Sequence, residues 1–578
     1  MSSPIQRELL HNALENFADE VGAVAARNAY SPFVNQSSGI ATAFFDAGGR
    51  LIAQTTGGEF HCSAVRVGLQ ELLKDTPGPS MEDGDVFILN DHFRGGIHPT
   101  DVMVLKPIYV EGELTFFHGA LMIVSDLGGV SAAGLPGLAT ECFHEGVMIP
   151  GIHLYRAGHP NKDVIRLIEA NSRTPNRVLG DVNAMVAAGN VADIRLKELA
   201  QRHGKESLLS LIDDLIVYAE RMTRDAIAAI PDGSYSGSYL VEDDGIVADK
   251  SYWIRVRVDV RGSDILVDLT GTDDQARGAV NSSYSQSLSG ILHALRYYIG
   301  SDVPMNEGLY NPIGVVLPLG SIVNPRFPAA CNIRIGAVQA IIDSIWQGLG
   351  TAYPDLVQAP GGTVHSLIAA GRSPDGDPFV LLTPHFGTGG ARSTMDGVDC
   401  DPNAMFSGQQ GGYGTSLEVL ESEYPLRHEY FRVWVDSGGP GRWRGGAALT
   451  KEVTFLARAD VTTRVVDRCR IPPAGLAGGR PGAGGGWIIN RGLPDEWRPA
   501  PKATNIPVEA ATTVTMLVSG GGGYGDPLDR EASMVLRDVQ EGFVSVDGAL
   551  RDYGVIVDPE TWEADDSPRA TRVGSGTD

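Results

Sequence analysis

The stretch Asn90-Asp91-His92-Phe93-Arg94-Gly95-Gly96-Ile97-His98-Pro99-Thr100-Asp101 sets two histidines, two aspartates and a Gly-Gly turn side by side. An imidazole and a carboxylate three residues apart, placed just after a tight turn, can be aimed at one point. That is how many metal sites and acid/base pairs begin. His98 and Asp101 are therefore the candidate catalytic pair and, equally, two candidate metal ligands. His61, Asp91, His92, Arg94 and His118 are candidates for binding substrate. Arg94 offers a planar fork for a carboxylate or phosphate, or a plain surface ion pair. The whole segment also fits a polar surface loop.

Such residues need a frame. Residues 5–29 carry Leu9, Leu10, Ala13, Leu14, Phe17, Val21 and Val24 at helical spacing, and Ser31-Pro32 ends that helix. Residues 40–54 predict a hairpin, and 86–89, 102–105 and 114–124 predict strands, so the His98 segment falls in a loop between two strands. Residues 163–230 predict helix, broken at Thr174-Pro175 and near His203-Gly204. After the turn Pro231-Asp232-Gly233, alternation over 252–258 and 265–269 predicts strands, and 287–300 and 335–351 predict helices. From about residue 380 the chain becomes Gly-rich and strand-rich, with a short helix expected at 534–542.

The fold class this implies is α+β and multi-domain: mixed sheets, long helices in the N-terminal half, and a Gly-rich, mainly β C-terminal part. The expected units are 1–230, with the candidate site, then a central α/β unit 231–379, the β-rich 380–560, and a flexible acidic tail 561–578.

Composition narrows the partners. A formal charge of −25 over 578 residues gives no basic field for phosphate backbones, and it repels anionic membrane surfaces. With 43% hydrophobic residues the chain can bury a core, yet no run approaches the roughly 20 apolar residues of a membrane span. Cys62, Cys142, Cys331, Cys400 and Cys469 are scattered without CxxC, and the N-terminus is polar, so the expected compartment is cytoplasmic. There is no GxxxxGK[ST] phosphate loop; the Gly520–Gly525 run lacks a Lys and reads as a packed turn.

Several segments together carry a family resemblance. They are Asn90 to Asp101, Ser125-Asp126-Leu127-Gly128-Gly129, Glu145-Gly146-Val147-Met148-Ile149-Pro150, Gly180-Asp181-Val182-Asn183-Ala184, Asn306-Glu307-Gly308, Asn324-Pro325-Arg326-Phe327-Pro328-Ala329-Ala330, Glu421-Ser422-Glu423-Tyr424-Pro425-Leu426, Asp436-Ser437-Gly438-Gly439, Gly441-Arg442-Trp443-Arg444-Gly445-Gly446 and the Gly520 to Pro527 run. In this order, nearly end to end, they resemble the B-type large subunit of ATP-dependent hydantoinases, 5-oxoprolinases and lactamases, and the related subunit of ketone carboxylases. The resemblance implies a hetero-oligomer. A separate A-type subunit with an actin-like ATPase fold would bind ATP and Mg, and this chain would hold the site that reworks the activated small-molecule substrate, with bicarbonate as a second reactant in the carboxylase branch.

The resemblance also implies a Zn or Mn site drawn from three places. One is the pair His98 and Asp101. Another is a His three residues before Asp126, where this chain has Ile123. The last is an early acid, where it has Gly39. The set is incomplete, and His61, His92, His118 and His144 are the possible recruits. A strand's period of two turns His118 to the opposite side from Ile123. Asp126 stands as a further catalytic acid or a turn-forming one. A lactam hydrolase would use a metal to polarise a carbonyl or make hydroxide. Carboxylation of an already activated ketone asks mainly for positioning, enolate stabilisation and one proton transfer. The expectation therefore leans to an acetophenone-type ketone carboxylase. Cyclic-amide hydrolysis and a non-catalytic scaffold for the ATPase are the alternatives.

Other groups carry open readings. Asn171, Arg173, Arg177 and Asp181 form either an anion site or a buried network. Arg464, Asp467, Arg468 and Arg470 either face a partner or solvate an edge. His385 is a candidate cavity residue, and a cysteine nucleophile is disfavoured because adjacency to His61 or His144 fixes no geometry.

Overall fold

The computed structural model describes residues 3–569 apart from 38, 57–58, 248, 386, 401–414 and 466. Helix α1 (Pro4–Asn28) starts at a Ser3–Gln6 capping box and buries Leu10, Leu14, Ala18, Val21 and Ala25, the stripe its spacing predicts. A short α2 (Pro32–Ser37) follows. Strands β1 (Ile40–Asp46) and β2 (Leu51–Gln54) form the expected hairpin. Helix α3 (Glu59–Asp75) is an addition to the predicted elements. Then come β3 (Val86–Leu89), β4 (Asp101–Val110), β5 (Glu113–Ile123), β6 (Ile152–Arg156) and β7 (His159–Pro160). They build one antiparallel sheet in the order β2-β1-β5-β4-β3-β6-β7.

Helices α4 (Lys162–Ala170), α5 (Pro175–His203) and α6 (Lys205–Ala228) break where Pro175 and Gly204 require. One face of the sheet packs on α1, α5 and α6 through Phe44, Val102, Val104, Met122 and Met185. The other face, with Met103, Leu105, Phe117 and Leu121, joins a core shared with α3 and the central unit. That unit is the sheet β11-β10-β9-β8, made from β8 (Gly233–Val241), β9 (Tyr252–Arg261), β10 (Asp264–Asp268) and β11 (Ile313–Val316). It is covered by α9 (Ile335–Leu349), on which α7 (Tyr284–Ile299) packs, with the short α8 (Glu307–Tyr310) between them in sequence. Strand β9 alternates buried and exposed residues as its sequence does, whereas α9 is mostly apolar and buried on all sides except at Gln347.

The C-terminal part holds two four-stranded sheets around a core of Leu367, Phe379, Leu381, Val453, Phe455, Trp487 and Met516. Its first strand, β12 (His365–Arg372), pairs with β13 (Pro378–His385) on one side and with β14 (Ala459–Val465) on the other, so this sheet begins ahead of residue 380. The expected flexible tail is ordered in part: Glu563–Asp565 pairs with Ile556–Asp558, while 570–578 lie outside the described residues. Among the described residues no helix is long and apolar enough to cross a membrane.

The loop between β3 and β4 is fixed by its own residues. Asn90 donates its side-chain amide to the carbonyls of Pro99 and Val147 and accepts from the amide of Ile149. Gly95 has φ +95, and a Cβ there would stand 2.4 Å from the Gly68 backbone nitrogen in α3. Only glycine lets this turn seat on that helix. Gly95→Ala is expected to cost at least about 1–3 kcal/mol, through strain at positive φ plus the clash, and to show as a lowered thermal midpoint. An unchanged midpoint would mean that the turn is free to shift.

Candidate functional site

His98 ends up buried, 1% exposed, at the foot of β4. Its Nδ1 accepts from the Thr100 hydroxyl at 3.0 Å and its Nε2 donates to Asp101 Oδ2 at 3.0 Å. This tautomer follows from the hydrogen-bond network. Burial, reinforced by Arg334, holds the imidazole well below its ordinary value, so it is neutral. The same Asp101 oxygen accepts from Arg334 Nη2 at 3.2 Å, and Arg334 Nε donates to Gln286 Oε1 at 3.0 Å. Arg334 precedes the first turn of α9, Gln286 lies in the first turn of α7, and Arg464 comes in from β14. The cluster thus draws on all three parts of the chain.

A second carboxyl completes it. Glu145 is fully buried, and its Oε1 accepts from the backbone amides of Cys331 (2.7 Å) and Asn332 (2.8 Å) and from the Asn332 side chain (2.8 Å). Its Oε2 has no partner. Burial pushes Glu145 up to about 7 against those bonds, and pushes Asp101 up to about 6 against the pull of Arg334 and Arg464. Arg464 donates to the Asn332 carbonyl, and burial brings it down to about 9, still a cation at neutral pH. His92 Nε2 faces the Ala329 carbonyl at 3.4 Å with its ring against Phe93, and burial brings it down to about 4.

The predicted residues divide accordingly. His98, Asp101 and His92 come together, with His61 nearby on α3 and partly exposed. Asp91 uses Oδ1 to cap the turn at the Phe93 amide. Three further candidates stand in other surroundings. Arg94 pairs with Asp75 at the surface and reaches no buried carboxylate; Arg94→Ala is expected to change stability by less than about 1 kcal/mol and to leave turnover intact. A kinetic defect in that variant would restore a binding role. His118 pairs across from Lys106 while Ile123 pairs across from Asp101, with an even register between, so His118 faces the opposite side of the sheet. There it packs on Phe44 and Gly189 and is neutral from burial. Asp126 is the turn-forming acid: its carboxylate accepts from the amides of Gly128, Ala133 and Arg173 and from the Arg173 guanidinium.

Asp181 accepts from Tyr30 and Ser31, and Arg177 pairs with Glu423, which makes that group a structural network. Of the 464–470 cluster, Arg468 pairs with buried Asp343 and Arg470 with Asp243, tying the C-terminal sheets to the central unit instead of facing outward. His385 bonds to Thr383 and meets Phe431 edge-on. Cys142 is pushed up to about 12 by burial and Cys331 well above its ordinary value, which opposes thiolate chemistry. Glu145 and Arg334 are not among the sequence-derived candidates, and Arg464 is one only as part of a charge cluster at a partner surface or a solvated edge. Glu145 opens one of the quoted motifs, but nothing local marks Arg334.

The implied metal can be tested against these residues. Ile123, across from Asp101, supplies no donor atom, and Gly39 supplies no side chain. The second bond on the Asp101 oxygen shared with His98 comes from a guanidinium. Among the described residues no three His, Cys, Asp or Glu side chains converge to hold an ion. The residues present do not fit Zn or Mn.

The sequence profile of the hydantoinase B/oxoprolinase family matches residues 3–527. The chain belongs to that family. Among its relatives, caprolactamase subunit beta of Pseudomonas jessenii is 31% identical over 96% of each chain. Acetophenone carboxylase delta subunit of Aromatoleum aromaticum is 25% identical, over 89% of this chain and 80% of that one. The crystal structure of the ATP-dependent caprolactamase from Pseudomonas jessenii superposes with a TM-score of 0.91 at 27% identity, covering all of both chains. The mixed α+β architecture is thus the family's, and the relatives are subunits of enzymes.

Proposed function

We propose that this chain carries the chemical site of an ATP-dependent heteromeric enzyme and that its reaction opens a cyclic amide, coupled to ATP hydrolysis on an A-type ATPase partner. The observation that carries this reading is Glu145: a buried carboxyl with one free oxygen, poised near neutrality beside two guanidinium groups. His98 cannot serve water directly, because both ring nitrogens are already bonded. Glu145 Oε2 takes the proton as water attacks the amide carbonyl carbon. Arg334 and Arg464 stabilise the resulting oxyanion. The C–N bond breaks and Glu145 returns the proton to the leaving nitrogen. His98 and Asp101 hold Arg334 in place. The caprolactamase relative, at 31% identity, acts on a lactam, as its name states.

Ketone carboxylation uses the same parts, with Glu145 taking a proton α to the carbonyl and the arginines holding the enolate. The acetophenone carboxylase relative favours it. Reconstitution with the ATPase subunit separates the two. ATP-dependent release of a ring-opened amino acid is the expected result. Incorporation of labelled bicarbonate into a new carboxylate, without ring opening, would replace it by the carboxylase reading. ATP-dependent turnover unaffected by any change in this cluster would leave only the scaffold role.

A further inference from the structure

Five buried polar atoms of different residues in this one cluster lack partners. Arg334 Nη1, Arg464 Nε, Glu145 Oε2, Asn332 Oδ1 and His92 Nδ1 are each shielded from solvent and unpaired. A folded chain rarely leaves such groups unmatched, because each costs the desolvation of a polar atom without return. Their identities specify what would match them. The guanidiniums donate, and both are cations with only Asp101 directly paired to one of them. The Asn332 oxygen accepts. Arg334 also stands against the Asp101 oxygen shared with His98, where the resemblance calls for a divalent ion.

We infer that Arg334 replaces the metal in this chain and, with Arg464, makes a built-in binding site for a small oxyanion that presents an O–H to Asn332. Bicarbonate and hydrogen phosphate share that chemistry. A fixed guanidinium holds an oxyanion through paired N–H donors and needs no coordination shell, so Ile123 and Gly39 are tolerated where ligands would otherwise be required. The inference rests on this cluster being the site, and not on which bond is made there.

The test is calorimetric titration of the full chain with bicarbonate and, separately, inorganic phosphate, together with elemental analysis after incubation with Zn and Mn and desalting. Binding is read without turnover, so its failure is distinct from failure of the proposed reaction. One of the two anions is expected to bind at a single site. Arg464→Met is expected to weaken it about 10- to 100-fold, and Arg464→Lys, which keeps the charge but lacks the Nε donor, to weaken it less. Circular dichroism of both variants guards against misfolding. Phosphate binding alone points to a phosphorylated ligand, and bicarbonate binding alone to a carboxylation substrate; both support the site. No binding of either anion, binding indifferent to both Arg464 variants, or near-stoichiometric retained Zn or Mn would overturn it.

Discussion

Glu145→Gln is expected to lower ATP-dependent turnover of the reconstituted enzyme by about 10²- to 10⁴-fold, the range removed with a general acid–base. Glutamine keeps the shape and the acceptor oxygen for the Cys331 and Asn332 amides, so the fold should survive. What it loses is the proton site at Oε2. The pH dependence carries the same signature. As a base, Glu145 should give wild-type rates that rise through about pH 7, and the residual rate of the variant should lack that rise.

Stability reports on it independently. The folded-state value is raised from 4.5 to about 7, so the protonated form is favoured by folding. The stability from this group is therefore complete below about 4.5 and is lost as pH rises through about 7. Glu145→Gln cannot ionise, so relative to wild type it should gain stability over that window. Denaturation at two pH values on either side of the window checks it. A variant with wild-type turnover and the same pH dependence would remove Glu145 from the mechanism.

The second large effect is on Arg334. It is 3% exposed and pairs with Asp101, which is 2% exposed. Arg334→Ala removes the guanidinium bonded to Asp101 and leaves the neutral His98 and the unbonded Arg464 to balance it. Breaking one side of a buried pair costs about 3–5 kcal/mol, mostly through the stranded charge. Adding Asp101→Asn should therefore recover much of the loss, because the stranded charge is gone. That non-additivity is the diagnostic result, read from urea denaturation of the two single variants and the double variant. Two independent, additive losses would mean that the pair does not interact as placed. Turnover should stay low in the double variant even where stability returns, since the oxyanion donors are still missing.

Much of the frame was legible in the sequence because its signals are local. The apolar spacing of α1, the breaks at Pro175 and Gly204, the hairpin at 40–54 and the alternation of β9 each follow from residues within a turn or two of one another. Helix α3 was not predicted, and the tail was read as wholly flexible although Glu563–Asp565 pairs as a strand.

The candidate site was legible in part. The segment from Asn90 to Asp101 by itself determines that His98 and Asp101 meet, because a turn and a spacing of three bring their side chains together. Its glycines determine that the loop can seat on α3. The strand period determines that His118 turns away from Ile123. Tertiary structure alone decided the rest. Arg334, Arg464, Glu145 and Gln286 come from loops and elements far apart in sequence, and charge patterning along the chain cannot tell a solvated arginine from one held at 3% or 5% exposure. Arg94 and Arg464 look alike as letters; one lies at the surface beside Asp75 and the other enters a buried cluster. Packing also sets protonation: desolvation makes His98 neutral and brings Glu145 near neutrality, and no spacing rule contains that term.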